Sequence, residues 1–189
     1  MITSVTITGG THGNETNGVE LAKHLLRTPT FTARPSFKTR VLLTNPAAVE
    51  KNVRYVDEDL NRCFAQALLD DDSRGSTEAV RARALNAALG PKGSAAPATD
   101  LIIDLHNTTA ATGVCLLTAP DDALCLGLAA SLIEADPAVV LATWQERPRA
   151  ECAPPPTVAR LIVTFVVKKG APYAPWQSID TRCCIRLRI

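Results

Sequence analysis

The chain has 189 residues, 46% hydrophobic and 21% charged, with 20 Lys+Arg against 19 Asp+Glu. That is long enough and apolar enough for one buried core, which excludes a disordered or collagen-like chain. The balanced charge argues against a basic surface for nucleic acid. No apolar run approaches the ~20 residues needed to cross a bilayer. The opening Met1-Ile2-Thr3-Ser4-Val5-Thr6-Ile7 lacks the order of a secretory signal, basic residues then an apolar run. The expectation is a soluble, cytoplasmic protein without a membrane or nucleic-acid partner; homo-oligomerisation stays open.

No internal repeat is present, and up to about residue 145 short β-branched runs alternate with helix-like segments, an α/β rhythm. Residues 4–8 predict a strand ending at Gly9-Gly10. Residues 16–27 predict a helix whose apolar stripe is Val19, Ala22 and Leu26, with Leu21 and Leu25 beside it. Residues 39–44 predict a strand stopped by Asn45-Pro46. Residues 77–89 predict a second amphipathic helix, closed by Gly90-Pro91. Residues 101–105 and 113–117 read as strands, 121–135 as a helix and 139–143 as a strand. Residues 147–156 carry four prolines and no apolar period, a linker pattern. Residues 158–167 fit one more strand, and the last twenty-two residues show no amphipathic pattern. The expected division is therefore a domain over 1–145 and a divergent Pro-rich linker and tail over 146–189.

Six cysteines, Cys63, Cys115, Cys125, Cys152, Cys183 and Cys184, form no CxxC pair and read as free thiols. Only His12, His24 and His106 can supply imidazole. His24 sits between charged neighbours, off the Val19/Ala22/Leu26 stripe, and reads as a solvated helix-face residue.

Gly9-Gly10-Thr11-His12-Gly13-Asn14-Glu15 links the first strand to the first helix. It matches neither GxGxxG nor GxxxxGK[ST], so a dinucleotide or P-loop reading fails. It does offer His12-x-x-Glu15. Catalytic zinc takes three protein ligands and keeps a fourth position open, and His₂Glu is one recurrent set. The third ligand should come from another strand end, and His106 follows the apolar run 101–105. In an open α/β sheet the carboxyl ends of parallel strands share one crevice. On spacing alone, a loop histidine plus a hydrogen-bonded strand-end histidine explains the pattern equally well. The charged run Arg54-Tyr55-Val56-Asp57-Glu58-Asp59-Leu60-Asn61-Arg62 is either a solvated loop with weak ion pairs or a source of arginine forks for an anionic ligand.

Taken in order, the glycine loop, Thr44-Asn45-Pro46-Ala47-Ala48, the 54–62 run, Gly90-Pro91-Lys92 and Asp104-Leu105-His106-Asn107-Thr108-Thr109 resemble the aspartoacylase family. Within it the likeness is to the branch holding aspartoacylase and the N-acyl-aromatic-amino-acid amidohydrolases, related to the succinylglutamate desuccinylases. The resemblance implies a zinc-carboxypeptidase-like α/β domain, with a mixed sheet flanked by helices. It implies hydrolysis of a small N-acyl amino acid and one Zn²⁺ per chain. By matching motif, His12, Glu15 and His106 correspond to the zinc ligands, Arg54 to the arginine that stabilises the oxyanion, and Asn61 and Arg62 to the pair that binds the substrate carboxylate.

The family also carries a catalytic glutamate in a strand motif of Gly-hydrophobic-Glu-hydrophobic-Gly-Pro type. Thr157-Val158-Ala159-Arg160 resembles the Ser-hydrophobic-Ala-Lys-like stretch that precedes it in the family, and counting on from there Val166 stands in the glutamate's place. The expectation is a fold incomplete at the C-terminus, with the family's C-terminal domain absent. Glu146 and Glu151 are the nearest replacement carboxylates in sequence. Two functions follow: an active amidohydrolase, or a zinc- and carboxylate-binding protein without turnover, acting as a partner of a full-length homologue.

Overall fold

A computed structural model describes residues 1–92, 94–95, 97–108, 113–143 and 159–166. Six strands form one sheet: β1 (Ser4–Gly9), β2 (Lys38–Leu43), β3 (Leu101–Thr108), β4 (Val114–Thr118), β5 (Val140–Thr143) and β6 (Ala159–Val166). Their spatial order is β2-β1-β3-β6-β4-β5. β1, β2, β3 and β6 run parallel, β4 is antiparallel to β6, and β5 is parallel to β4. The sheet is therefore mixed, as expected, and it draws its β6 strand from beyond residue 145.

Five helices accompany it among the described residues: α1 (Thr16–Arg27), α2 (Pro46–Lys51), α3 (Gln66–Leu69), α4 (Thr77–Leu89) and α5 (Ala123–Ala135). Strand alternation divides the sheet into two faces. Val5, Leu101, Leu105, Leu161 and Val163 join Leu116, Cys125 and Ala129 in the main core, with Leu21 of α1 packed against it. The opposite face is unusually polar, with Thr6, Thr8, Asp104 and His106 all buried. A second apolar cluster, Leu60, Cys63, Leu69, Ala82 and Leu85, lies under α3 and α4.

The helix at 16–27 has the expected bounds, but its stripe differs. Gly18, Val19 and Ala22 are buried, whereas Leu26 is 50% exposed. A Cβ on Gly18 would sit 2.6 Å from the Leu105 carbonyl oxygen, so a bare glycine brings the first half of α1 onto β3. Leu26 lies a turn beyond that buried half. His24 is half-buried rather than solvated, its ring 5.4 Å from that of Phe31. The Asn45-Pro46 stop signal also starts a helix: Asn45 Oδ1 accepts the Ala48 N–H at 3.3 Å and Pro46 occupies the first turn. Cys63, Cys115 and Cys125 are free and buried; burial pushes the Cys63 and Cys125 thiols up to about 11 and about 12. The other three cysteines, Glu146, Glu151 and the 147–156 linker lie outside the described residues. Among those described, no helix is long and apolar enough to cross a membrane.

Candidate metal centre

Three loops meet at the carboxyl ends of β1 and β3. Gly10, at φ +75°, turns the chain off β1. A Cβ on Gly13 would lie 2.1 Å from the Ala48 carbonyl carbon, so only glycine lets this loop press against α2. The Gly13 N–H donates to the Arg54 carbonyl at 3.3 Å, and the Glu15 N–H to the His12 carbonyl at 3.1 Å. That last bond folds His12 and Glu15 onto one turn. β1 and β3 pair in parallel with Gly9 opposite Leu105, which sets His106 beside the same turn.

The result is a convergent donor set. The ligand atoms of His12, Glu15 and His106 all lie within 4.8 Å of one another. Glu15 Oε1 is 2.6 Å from His12 Nδ1, and Glu15 Oε2 is 2.8 Å from His106 Nδ1. Each imidazole is held from behind by its own carboxylate: His12 Nε2 lies 3.1 Å from Asp59 Oδ1, and His106 Nε2 lies 3.0 Å from Asp104 Oδ2. With a metal bound, an Nε2–H donated to a carboxylate would leave the Nδ1 lone pair for the ion, the usual arrangement behind a metal-binding histidine. Two imidazoles and one carboxylate, mutually within a few ångströms, suit a zinc ion.

Burial works against charge on Glu15, but hydrogen bonds from His106 and His12 outweigh it and bring its pKa down to about 2. Burial likewise opposes a charged His106, yet its bonds to Asp104 and Glu15 raise it to about 9. Asp104 is pushed up by burial and then held well below the usual carboxylate range by His106 and Arg160. Its Oδ1 also accepts from the Thr8 and Thr11 hydroxyls at 2.7 and 3.2 Å.

Beside these groups lies a cavity of about 500 Å³ whose lining includes Arg54, Asn61, Asn107, Leu117, Ile162 and Thr164. Arg54 is half-exposed, its Nη2 3.2 Å from Asp59 Oδ2 and its Nη1 3.8 Å from Glu15 Oε1. Asn61 lines the cavity from the 3₁₀ turn Leu60–Arg62, which Asp59 caps by accepting the Asn61 N–H at 3.0 Å. Arg62, on the same turn, is exposed and outside that lining. His24 takes no part.

Three contributors went unassigned in the sequence: Asp59, Arg160 and Glu78. Arg160 Nη2 reaches Asp104 Oδ2 at 2.5 Å and Asn61 Oδ1 at 3.2 Å. Glu78, fully buried on α4, accepts the N–H groups of Val56, Asp57 and Glu58 and the Asn45 amide, and so anchors the 54–62 loop. Asp104 was within reach of pattern reading, because Asp-x-His on a strand puts both side chains on one face.

The succinylglutamate desuccinylase/aspartoacylase catalytic domain matches residues 1–157. The chain belongs to this family. An N-acyl-aromatic-L-amino acid amidohydrolase (carboxylate-forming) of Xenopus tropicalis is 47% identical over 130 residues, 68% of this chain and 41% of that protein. A probable aspartoacylase of Acaryochloris marina is 40% identical over 145 residues, 77% of this chain and 48% of its own length. The matched segment thus spans less than half of each of these curated relatives. Among solved structures, murine aminoacylase 3 superposes with a TM-score of 0.79 at 35% identity, covering 92% of this chain and 59% of that one. The mixed α/β sheet flanked by helices is that of the aspartoacylase family. A metallo-carboxypeptidase of Burkholderia cenocepacia shares the fold alone, with a TM-score of 0.56 at 17% identity.

Proposed function

We propose that this chain binds one zinc ion through His12, Glu15 and His106 and serves the hydrolysis of an N-acyl amino acid to a carboxylate and a free amino acid. The observation that carries the reading is the pair of histidines, each backed at Nε2 by its own carboxylate and each presenting Nδ1 to Glu15. Zinc held there supplies Lewis acidity toward the amide carbonyl and activates water near neutral pH. The protein's own groups do the rest. Arg54, beside Glu15 and ion-paired with Asp59, is placed to stabilise negative charge developing on the carbonyl oxygen. Asn61 offers an amide at the cavity wall for the substrate carboxylate. By the family resemblance Arg62 would be the second group for that carboxylate, although it is exposed and outside the cavity lining.

A second reading, ligand binding without turnover, is favoured by one specific feature. Among the described residues Glu15 is the only carboxylate lining the cavity, and as a zinc ligand it is not free to act as general base. The β6 position where the family places its catalytic glutamate is Val166, in register with Thr108. General acid–base catalysis typically contributes about 10²–10⁴-fold. Turnover of N-acetyl-L-aspartate and N-acetyl-L-phenylalanine by wild type, His12→Ala and Val166→Glu separates the two. Zinc-dependent release of free amino acid by wild type, abolished in His12→Ala, supports the hydrolase. Zinc and ligand binding without release, with turnover gained only in Val166→Glu, supports the second reading. No zinc uptake refutes both.

A further inference from the structure

Arg160, at the start of β6, ends the Thr157-Val158-Ala159-Arg160 stretch from which Val166 is counted and has no role of its own there, yet it touches two parts of the site at once. We infer that Arg160 is a positioning residue that ties the metal ligand His106 and the substrate-facing amide of Asn61 into one hydrogen-bonded unit. This rests on the function proposed above.

The first half of the argument concerns Asp104. Its side chain is only 4% exposed, and its partners are the Thr8 and Thr11 hydroxyls, His106 and Arg160. Of these four, Arg160 alone carries a permanent charge. Arg160 meets the same carboxylate oxygen, Oδ2, that His106 Nε2 meets. Asp104 is what aims the His106 ring, so the group that holds Asp104 in place also holds the ligand.

The second half concerns Asn61. A guanidinium only donates, so the Asn61 atom 3.2 Å from Arg160 Nη2 is the carbonyl oxygen Oδ1. That pins the amide with its NH₂ directed away from Arg160. No other described side chain bonds the Asn61 amide nitrogen, and Asn61 lines the cavity. The amide is thereby preset as a donor to an anionic group rather than as an acceptor. The register explains how β6 reaches this point: Arg160 pairs with Ile102, two positions from Asp104 on the same face of β3.

Arginine and lysine divide these roles. Both contacts leave the one nitrogen Nη2; lysine keeps a charge for Asp104, but its Nζ stands one bond short of Nη2 and so is expected to reach Asp104 without Asn61. The test uses the full chain as wild type, Arg160→Lys, Arg160→Met, Asp104→Asn and the Arg160→Met/Asp104→Asn double variant. Zinc affinity is measured by competition with a chromophoric chelator, and N-acetyl-L-aspartate affinity of the zinc-loaded protein by calorimetry. Arg160→Met is expected to weaken zinc about tenfold, at the lower end for outer-shell changes, and to add nothing in the Asp104→Asn background. Arg160→Lys is expected to keep zinc affinity within about threefold while weakening N-acetyl-L-aspartate, a split that simple loss of structure would not produce. Zinc affinity in Arg160→Met within twofold of wild type overturns the inference, as do effects of Arg160→Met and Asp104→Asn that multiply independently. Should Arg160→Met fail to fold, the Arg160→Lys split decides alone, and wild-type behaviour in both assays overturns it. A wild type that takes up no zinc refutes the proposed function instead. Arg160 is then judged on the ¹⁵N signals of the His106 ring in metal-free protein, which Arg160→Met must shift and Arg160→Lys must leave near wild type; unchanged signals in Arg160→Met overturn the inference.

Discussion

Glu78→Gln isolates the group that anchors the 54–62 loop without touching His12, Glu15 or His106. Glu78 Oε1 accepts from the Val56 N–H at 2.7 Å and the Asn45 amide at 2.9 Å, while Oε2 accepts from the Asp57 and Glu58 N–H groups at 3.0 and 3.2 Å. Glutamine has one oxygen, so one pair of donors must face an NH₂ group. Hydrogen bonds to a charged partner are worth about 1.5–3 kcal/mol each and neutral ones about 0.5–1.5 kcal/mol. With two bonds lost, two weakened and water replacing part of the loss on the open loop, the net cost is about 3–4 kcal/mol. In a domain of this size about 1 kcal/mol moves Tm by roughly 2–4 °C, so a fall of roughly 10 °C is expected. The pH dependence carries a sign. Burial pushes the Glu78 pKa up, but its hydrogen bonds from Asn45, Val56, Asp57 and Glu58 outweigh this and lower it. Its contribution is therefore fully present above the unfolded carboxylate value of about 4.3 and disappears as pH falls through the lower folded value. Thermal unfolding followed by circular dichroism, with Glu20→Gln as a surface control, should show a wild-type-to-variant gap that is wide at pH 7 and narrows below pH 4. A gap under about 2 °C at pH 7, against the roughly 2–4 °C expected per kcal/mol, would refute the anchoring argument.

Gly13→Ala, whose Cβ would lie 2.1 Å from the Ala48 carbonyl carbon, should displace the His12 turn. Loss of zinc uptake together with a lowered Tm is the expected result, and wild-type values in both would contradict the packing reading. Arg54→Ala and Arg62→Ala remove exposed guanidinium groups, so Tm should move by no more than a few degrees while affinity for N-acetyl amino acids falls; calorimetry of the zinc-loaded protein checks this. The buried thiols of Cys63 and Cys125, raised by burial to about 11 and about 12, should resist iodoacetamide at pH 8 in the native protein and react after denaturation, as read by peptide mass.

Helix 16–27 is legible in the sequence because three turns are enough for a 3.6-residue period to emerge; helix 77–89 carries no such period, burying Glu78 and leaving Val80 exposed, and is legible by its helix-forming residues and its Gly90-Pro91 stop. The helix at 46–51 is not: six residues complete fewer than two turns, and its cap and proline look like a strand terminator. The proposed metal ligands are legible only in part: the glycine loop and a histidine after the 101–105 run leave a plain hydrogen-bonded pair as good a reading, and the family resemblance decides between them. Their supports are harder to see. Asp59 sits 47 residues from His12, inside a charged run that resembles any solvated loop. Arg160 sits 56 residues from Asp104 on a strand whose own pattern was readable but whose neighbours in the sheet were not. Leu26 shows the converse error, because periodicity assigns a face without saying how far along it the helix stays covered.

The central claim is a single zinc held by His12, Glu15 and His106. Elemental analysis of the full chain after chelator treatment and zinc reconstitution tests it most directly, with His106→Ala and His24→Ala alongside wild type. About one zinc per chain in wild type and in His24→Ala, with a large loss in His106→Ala, is the predicted result, given that a catalytic site rests on three protein ligands. Equal zinc in wild type and His106→Ala, or loss confined to His24→Ala, would contradict it.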